Sequence, residues 1–172
     1  EFISRESFYN AIKLDMMLGC STNTALHLPA LAHEAGIEIT LDDFDRIGRE
    51  IPHIVKLSPS GSHLMVDLDN AGGVSAVIKQ GIESGYLWGE QETVTGKTIA
   101  ETVKDAEILD RNVIRSFDEP YSPEGGLAVL YGNLAPMGAV IKTAGVDPNM
   151  LEHSGPAKVF NSHQEALNAL IF

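Results

Sequence analysis

The stretch Met17-Leu-Gly-Cys-Ser-Thr-Asn-Thr-Ala-Leu-His-Leu28 joins two apolar helical runs. The first run stops at Gly19, and four small polar residues lie where the second begins: Ser21, Thr22, Asn23 and Thr24. Their side chains, together with the free N–H groups of a helix start, would line a pocket suited to an anionic ligand. The alternative is an N-cap turn between two core helices. The sequence leaves both interpretations open.

Helical periodicity extends from this junction in both directions. The spacing of apolar residues predicts a helix over Ser4 to Leu18. Thr22 or Asn23 caps a second helix that runs to Ala35, and Pro29 inside it is expected to kink the helix or delay its start. Capping residues and apolar spacing predict four more helices: Thr40 to Pro52, His63 to Asp69, Gly73 to Ser84 and Thr98 to Leu109.

The pattern changes after Ile114. Residues 117–126 hold two prolines and two glycines and are interpreted as a linker. Short strand-like runs then predict strands over Leu127 to Tyr131, Ala139 to Lys142 and Ala157 to Phe160. Asn161 with Gln164 is expected to cap a final helix. The predicted division is residues 1–116 in one domain, 117–126 as the linker and 127–172 as the start of a second domain.

Composition narrows the function classes. The chain has 172 residues, of which 44% are apolar, and a net charge of −12. The charge argues against a nucleic-acid partner, and no apolar run is long enough to span a membrane. A single cysteine cannot form an internal disulfide, which suits a reducing cytosol. Apolar residues at both termini suggest a piece of a longer chain.

Several motifs along the chain resemble the dihydroxy-acid dehydratase / phosphogluconate dehydratase family. The polar junction is similar to that family's Gly-Gly-Ser-Thr-Asn turn, with Cys20 in place of the second glycine. The segments around Thr93 and Ile114 favour the dihydroxy-acid branch. Further segments in family order are 58–61, 67–73, 93–98, 125–136, 139–146 and 154–159.

The resemblance implies an α/β fold, with the mainly helical end of an N-terminal α/β domain followed by the start of a β-rich, barrel-like C-terminal domain. It implies a cytoplasmic, homodimeric parent enzyme that removes water from small 2,3-dihydroxy acids to give 2-oxo acids, in branched-chain amino-acid biosynthesis or sugar-acid breakdown. An iron–sulfur cluster and Mg²⁺ would serve the parent. The family's cysteine, metal-ligand and serine-base motifs lie outside residues 1–172. No catalytic or metal residue is therefore assigned, and the chain alone is expected to be inactive and free of cofactor.

Other chemical candidates are weaker. Cys20 precedes a helix start, where it could act as a nucleophile or a ligand, but the resemblance makes it a small residue in a tight turn. His27 and His33 are six residues apart and fall on different helix faces. The calcium-loop pattern over 67–78 lacks its final Glu. Lys142 is unusual in lying within an apolar strand. A non-catalytic interaction or oligomerisation module is the rival class.

Overall fold

The computed structural model describes residues 2–171. Helices occupy the first part of this range, and an antiparallel pair of strands follows, which confirms the predicted mixed α/β class with a helical start. The elements are α1 Arg5–Leu18, α2 Thr24–Glu34, α3 Leu41–Glu50, α4 Met65–Asn70, α5 Gly73–Glu83, α6 Ile99–Val103, β1 Ala128–Gly132, β2 Ala135–Ile141 and α7 His163–Ile171.

Helix α1 forms the centre of the core. The Ser4 hydroxyl accepts a hydrogen bond from the Ser7 amide at 3.2 Å, so the predicted start is confirmed. The buried face carries Ile12 and Met16, with 0% and 1% of their surface exposed, and α2, α3 and α5 pack around the helix. Gly19 ends α1 with a φ of 55°, a left-handed conformation that glycine adopts without strain.

Two predicted helix starts are confirmed, and the start of the last helix differs from its prediction by one residue. Asp43 accepts the Thr40 amide at 3.0 Å, and Glu101 accepts the Thr98 amide at 2.8 Å, as their capping patterns predict. Helix α2 begins at Thr24, so Pro29 does not delay it. The last helix is capped by Ser162, whose hydroxyl accepts the Glu165 amide at 3.2 Å; the prediction of Asn161 was one residue early.

The helix predicted from Thr98 to Leu109 is much shorter, and that prediction was wrong. Helix α6 ends at Val103. The Lys79 ammonium donates to the carbonyls of Lys104 and Ala106, both at 2.9 Å. The Leu109 amide then donates to the Ala71 carbonyl at 2.8 Å. These tertiary hydrogen bonds replace the ones that a longer helix would make.

Strands β1 and β2 pair antiparallel, with Val129 opposite Val140. The third predicted strand, Ala157 to Phe160, is not formed and was a wrong prediction. Its side chains are largely exposed, and no strand within residues 2–171 lies beside it to complete a ladder. Isolated bridges join His53 to Ser122 and Val55 to Ile114.

The proline- and glycine-rich segment 117–126 crosses the helical region. The Tyr121 amide donates to the His53 carbonyl at 2.9 Å, and the Gly125 amide donates to the Gly48 carbonyl at 2.7 Å. A domain boundary within this segment stays a prediction. A search of the described residues for a helix long and apolar enough to cross a membrane finds none.

Candidate functional site

In the polar junction after α1, the backbone amides from Asn23 onward are occupied. The Asn23 amide donates to the Ser21 hydroxyl at 3.2 Å, and the Thr24 amide donates to the Ser21 carbonyl at 3.0 Å. The amides of Ala25 and Leu26 also donate within this turn. The amides from Asn23 to Leu26 are therefore not free for a ligand, whereas those of Ser21 and Thr22 make no hydrogen bond within residues 2–171, and anion binding at this turn stays a prediction.

Side chains, by contrast, remain available at the junction. Ser21, Thr22 and Asn23 are exposed, and Thr24 is half-buried. Asn23 occupies the N-cap position of α2, but its side chain makes no capping hydrogen bond and its backbone is already helical. The ordinary capping interpretation therefore also loses its expected side-chain contact. What remains is a set of hydroxyl and amide groups facing outward from a compact turn.

Asp15 lies beneath this turn on the last turn of α1. Only 5% of its surface is exposed, and its Oδ1 accepts a hydrogen bond from the Thr24 hydroxyl at 3.0 Å. Its Oδ2 has no hydrogen-bond partner among the described residues. Burial raises the pKa of Asp15 to about 6, against the opposing effect of the Thr24 hydrogen bond. The carboxylate is therefore ionised at neutral pH, although burial makes its charged form less favourable than it would be in water.

Cys20 is exposed as a residue, although its thiol group faces Asp15. Withdrawal of the thiol from water, followed by the negative charge of Asp15, raises the pKa of Cys20 to about 12. Both causes act in the same direction, so Cys20 is a neutral thiol at physiological pH. A thiol is a poor nucleophile and a poor metal ligand. This agrees with the interpretation of Cys20 as a small turn residue.

His53 packs against Gly19 from the other side of the turn, and the sequence analysis missed it. It is 2% exposed, and its Nε2 has no hydrogen-bond partner within residues 2–171. Burial lowers the pKa of His53 to about 4, and the positive charges of Lys56 and Lys142 lower it further. The ring is therefore neutral. A histidine beside Pro52 inside an apolar run was the only signal in the sequence.

A well-defined cleft lies outside the junction residues Ser21 to Thr24. It has a volume of about 420 Å³ and opens between α3 and β1, with His53 and Lys56 on its wall. Arg49 at its edge is tied to Asp45 through two hydrogen bonds of 3.0 and 3.1 Å. None of Ser21 to Thr24 lines it, so the predicted site and this cleft are separate. Its apolar lining includes Leu127, Val129, Val146 and Leu151.

The described part of the chain offers no donor set for a metal. No group of three or more His, Cys, Asp or Glu side chains within residues 2–171 is placed to hold a metal ion. An iron–sulfur cluster usually needs several cysteines, and this chain has one. These residues therefore do not fit the cluster or the Mg²⁺ that the resemblance implies for the parent. Ligands for either would have to come from elsewhere in the parent.

Comparisons with known proteins cover almost the whole chain. Residues 1–102 match the family model described as dihydroxy-acid/6-phosphogluconate dehydratase N-terminal, and residues 112–171 match its C-terminal counterpart. The chain is 53% identical over 171 residues to a dihydroxy-acid dehydratase of Clostridium novyi (strain NT). It is 52% identical over 171 residues to that of Moorella thermoacetica, and 51% identical over 170 residues to that of Ignicoccus hospitalis.

Each of these alignments covers 99% of this chain but only 31% of the relative. The chain therefore spans a little under one third of the length of the relatives that it matches. In the structure the two matched regions contact each other close to Gly19. The Gly126 amide, in the second region, donates to the Met16 carbonyl, in the first, at 3.2 Å. The chain belongs to the dihydroxy-acid/6-phosphogluconate dehydratase family.

Proposed function

We propose that this chain is a segment of a dihydroxy-acid dehydratase, a hydro-lyase that converts 2,3-dihydroxy acids to 2-oxo acids in branched-chain amino-acid biosynthesis. The observation that carries the proposal is identity of about 50% along the full segment to relatives with that name. The resemblance further suggests a cytoplasmic homodimer that uses an iron–sulfur cluster and Mg²⁺. Those groups would be bound by residues outside this chain.

The reaction requires loss of the 3-hydroxyl and of the proton on C2, after which the enol product rearranges to the 2-oxo acid. The acid and base for these steps must touch the substrate. No residue of this chain is assigned to either role. The contribution proposed for the segment is to hold the substrate at the junction of Ser21, Thr22, Asn23 and Thr24.

Two features support a binding role for the junction. The exposed side chains of Thr22 and Asn23 make no hydrogen bond within residues 2–171, and Asn23 does not cap α2. Its turn is enclosed by packing on both sides, with His53 and Gly126 against Gly19. A rigid turn with unused polar side chains can position a ligand precisely enough for catalysis, since binding groups must be held close to their productive geometry.

Two variants of the full-length enzyme, Ser21→Ala and Asn23→Ala, test this role. We expect lower kcat/KM with little change in melting temperature, since exposed side chains contribute little to packing. Ser75→Ala is the matched control, because Ser75 is exposed on α5 away from the junction. Cluster content must be equal in all samples. Loss of stability with wild-type kcat/KM in both variants would reduce the junction to a structural turn.

A non-catalytic interaction module remains the second candidate, and exposed apolar side chains favour it. Leu134 and Met137 on the hairpin are 98% and 88% exposed. Leu26 and Leu31 on α2 are also exposed. Such residues are suited to burial against another surface. Turnover by the full-length protein with 2,3-dihydroxy acids and with 6-phosphogluconate distinguishes the dehydratase, its sugar-acid alternative and the interaction module.

A further inference from the structure

The Thr24 hydroxyl has only one proton to donate, and that proton is committed. It points to Asp15 Oδ1 at a distance of 3.0 Å between the oxygens. A hydroxyl whose proton is used can still accept hydrogen bonds through its lone pairs. Asp15 therefore fixes both the rotation of this hydroxyl and its role toward any ligand: Thr24 presents an acceptor.

Asp15 is an unusual residue to find in this position. It is 95% buried, and it lies in the last turn of α1, where the negative end of the helix dipole disfavours a carboxylate. Its second oxygen is buried without a hydrogen-bond partner in the described chain. The Cys20 thiol also faces this carboxylate as a weak hydrogen-bond donor. Buried carboxylates are normally fully satisfied, so Asp15 is held here at a cost to stability, which a positioning role would explain.

The surroundings of Asp15 select the ligand chemistry. The backbone amides from Asn23 to Leu26 are engaged within the turn, and the Thr24 hydroxyl has given its proton to Asp15, so none of these groups offers a donor to a carboxylate placed at Thr24. The neighbouring Cys20 thiol is neutral, and His53 beyond Gly19 is a neutral ring. The positive charge of Lys142 lowers the pKa of Asp15, but by less than burial raises it. A neutral hydrogen-bond donor therefore fits this site better than an anion.

We propose that Asp15 is a positioning residue that orients the Thr24 hydroxyl to accept a hydrogen bond from a hydroxyl group of the bound dihydroxy acid. The inference rests on the proposed function and deepens it, because it assigns the junction to a substrate hydroxyl instead of the substrate carboxylate. Asp15 does not touch the substrate in this scheme. It acts through Thr24.

Affinities of the full-length, cluster-loaded enzyme test the proposal. The ligands are a 2,3-dihydroxy acid and its two analogues, each of which lacks one hydroxyl. Thr24→Val keeps the shape of the side chain but removes its oxygen. We expect it to weaken binding of the dihydroxy acid roughly 2- to 10-fold, the effect of one neutral hydrogen bond. Binding of the analogue that lacks the contacted hydroxyl should be unchanged.

Asp15→Asn should shift the same affinity ratio in the same direction, because an amide at this position no longer enforces the Thr24 orientation. In the Thr24→Val background it should have no further effect on the ratio. Thr24→Ser retains the hydroxyl and should restore the wild-type ratio. Thr102→Val is the matched control, because Thr102 is exposed on α6 and its hydroxyl donates to the Ile99 carbonyl and not to Asp15.

Several results would overturn the inference. Equal weakening of all three acids by Thr24→Val, or additive effects of the two substitutions, would show that Asp15 and Thr24 do not act together on one hydroxyl. If Asp15→Asn does not fold, the affinity for the dihydroxy acid relative to its analogues, measured for Thr24→Val and Thr24→Ser, still tests whether Thr24 contacts one substrate hydroxyl. A wild-type enzyme that dehydrates no 2,3-dihydroxy acid would instead overturn the proposed function itself, and the inference with it.

Discussion

Gly126 lies so close to Gly19 that a Cβ on Gly126 would overlap the Gly19 Cα. The contact joins the two regions of the chain that match the N-terminal and C-terminal family descriptions. Because Gly19 also carries a positive φ of 55° and packs against His53, the turn is confined on both sides. The geometry of the polar junction thus depends on a residue more than 100 positions away in sequence.

Gly126→Ala should destabilise the chain by about 1–3 kcal/mol, the usual cost of forcing a methyl group into a packed interior. Gly132→Ala is the matched control, since a Cβ at Gly132 meets nothing within 4 Å. Denaturant unfolding of this chain, followed by circular dichroism, measures both. Equal stability of the two variants would mean that the contact between the glycines is not tight in solution.

Asp15→Asn should change the pH dependence of stability. The folded state holds the Asp15 proton with a pKa of about 6, above its usual value of 3.8, so between these pH values the folded chain binds more protons than the unfolded chain. Its stability therefore falls as the pH rises through this window. The variant lacks this penalty and should gain on the order of 2–3 kcal/mol relative to wild type from pH 4 to pH 7.

Unfolding free energies of wild type and Asp15→Asn at several pH values check this prediction. Their difference isolates Asp15 from the other carboxylates, which both proteins share. A difference that does not change with pH would show that the Asp15 carboxyl is solvated in the folded chain, contrary to its 5% exposure.

His53→Gln should act in the opposite direction. Burial lowers the pKa of His53 from 6.5 to about 4, so in this window the unfolded chain binds more protons. The wild type therefore loses stability as the pH falls through the window. A neutral glutamine avoids that loss, and the variant should gain about 3 kcal/mol relative to wild type between pH 7 and pH 4. Nuclear magnetic resonance titration of the ring gives an independent check: a midpoint near 6.5 would contradict the prediction.

Local signals explain why most helices could be predicted from the sequence. Ser4, Thr40 and Thr98 lie at helix starts because each side chain or its partner three residues later satisfies a free amide. These interactions involve neighbours in sequence, so a linear pattern contains them. The failures involve distant partners. Helix α6 stops early because Lys79, 25 residues away, takes the carbonyl of Lys104.

In the candidate site, too, some residues could be predicted from local sequence and others could not. Its polar side chains, Ser21 to Thr24, could be found from composition at a helix boundary. The engagement of the amides from Asn23 to Leu26 could not be predicted, because it depends on the turn geometry around Ser21. Asp15 and His53 were missed because an acid in an amphipathic helix and a histidine in an apolar run look ordinary until their burial is known.

A domain boundary within residues 117–126 remains a prediction, and limited proteolysis tests it. Glu124 is exposed and is followed by Gly125, so a glutamate-specific protease should cut there early if the segment separates two units. The hydrogen bonds of Tyr121 and Gly125 to the helical region oppose such cleavage. If the peptide bond between Glu124 and Gly125 stays intact while the chain is cut after Glu83 and after Glu165, that result would argue against a boundary.

The 172-residue chain should bind no iron–sulfur cluster. The physical reason is that a cluster is held by several thiolates, whereas Cys20 is a single thiol whose pKa is raised to about 12, so deprotonation by a metal would cost free energy beside the negative Asp15. Anaerobic reconstitution with iron and sulfide, followed by absorption spectra and iron analysis, measures the content. Cys20→Ser is the matched control for adventitious iron. A stoichiometric cluster that is present in the wild-type chain and absent from Cys20→Ser would show that Cys20 is a ligand. The interpretation of Cys20 as a turn residue would then be wrong.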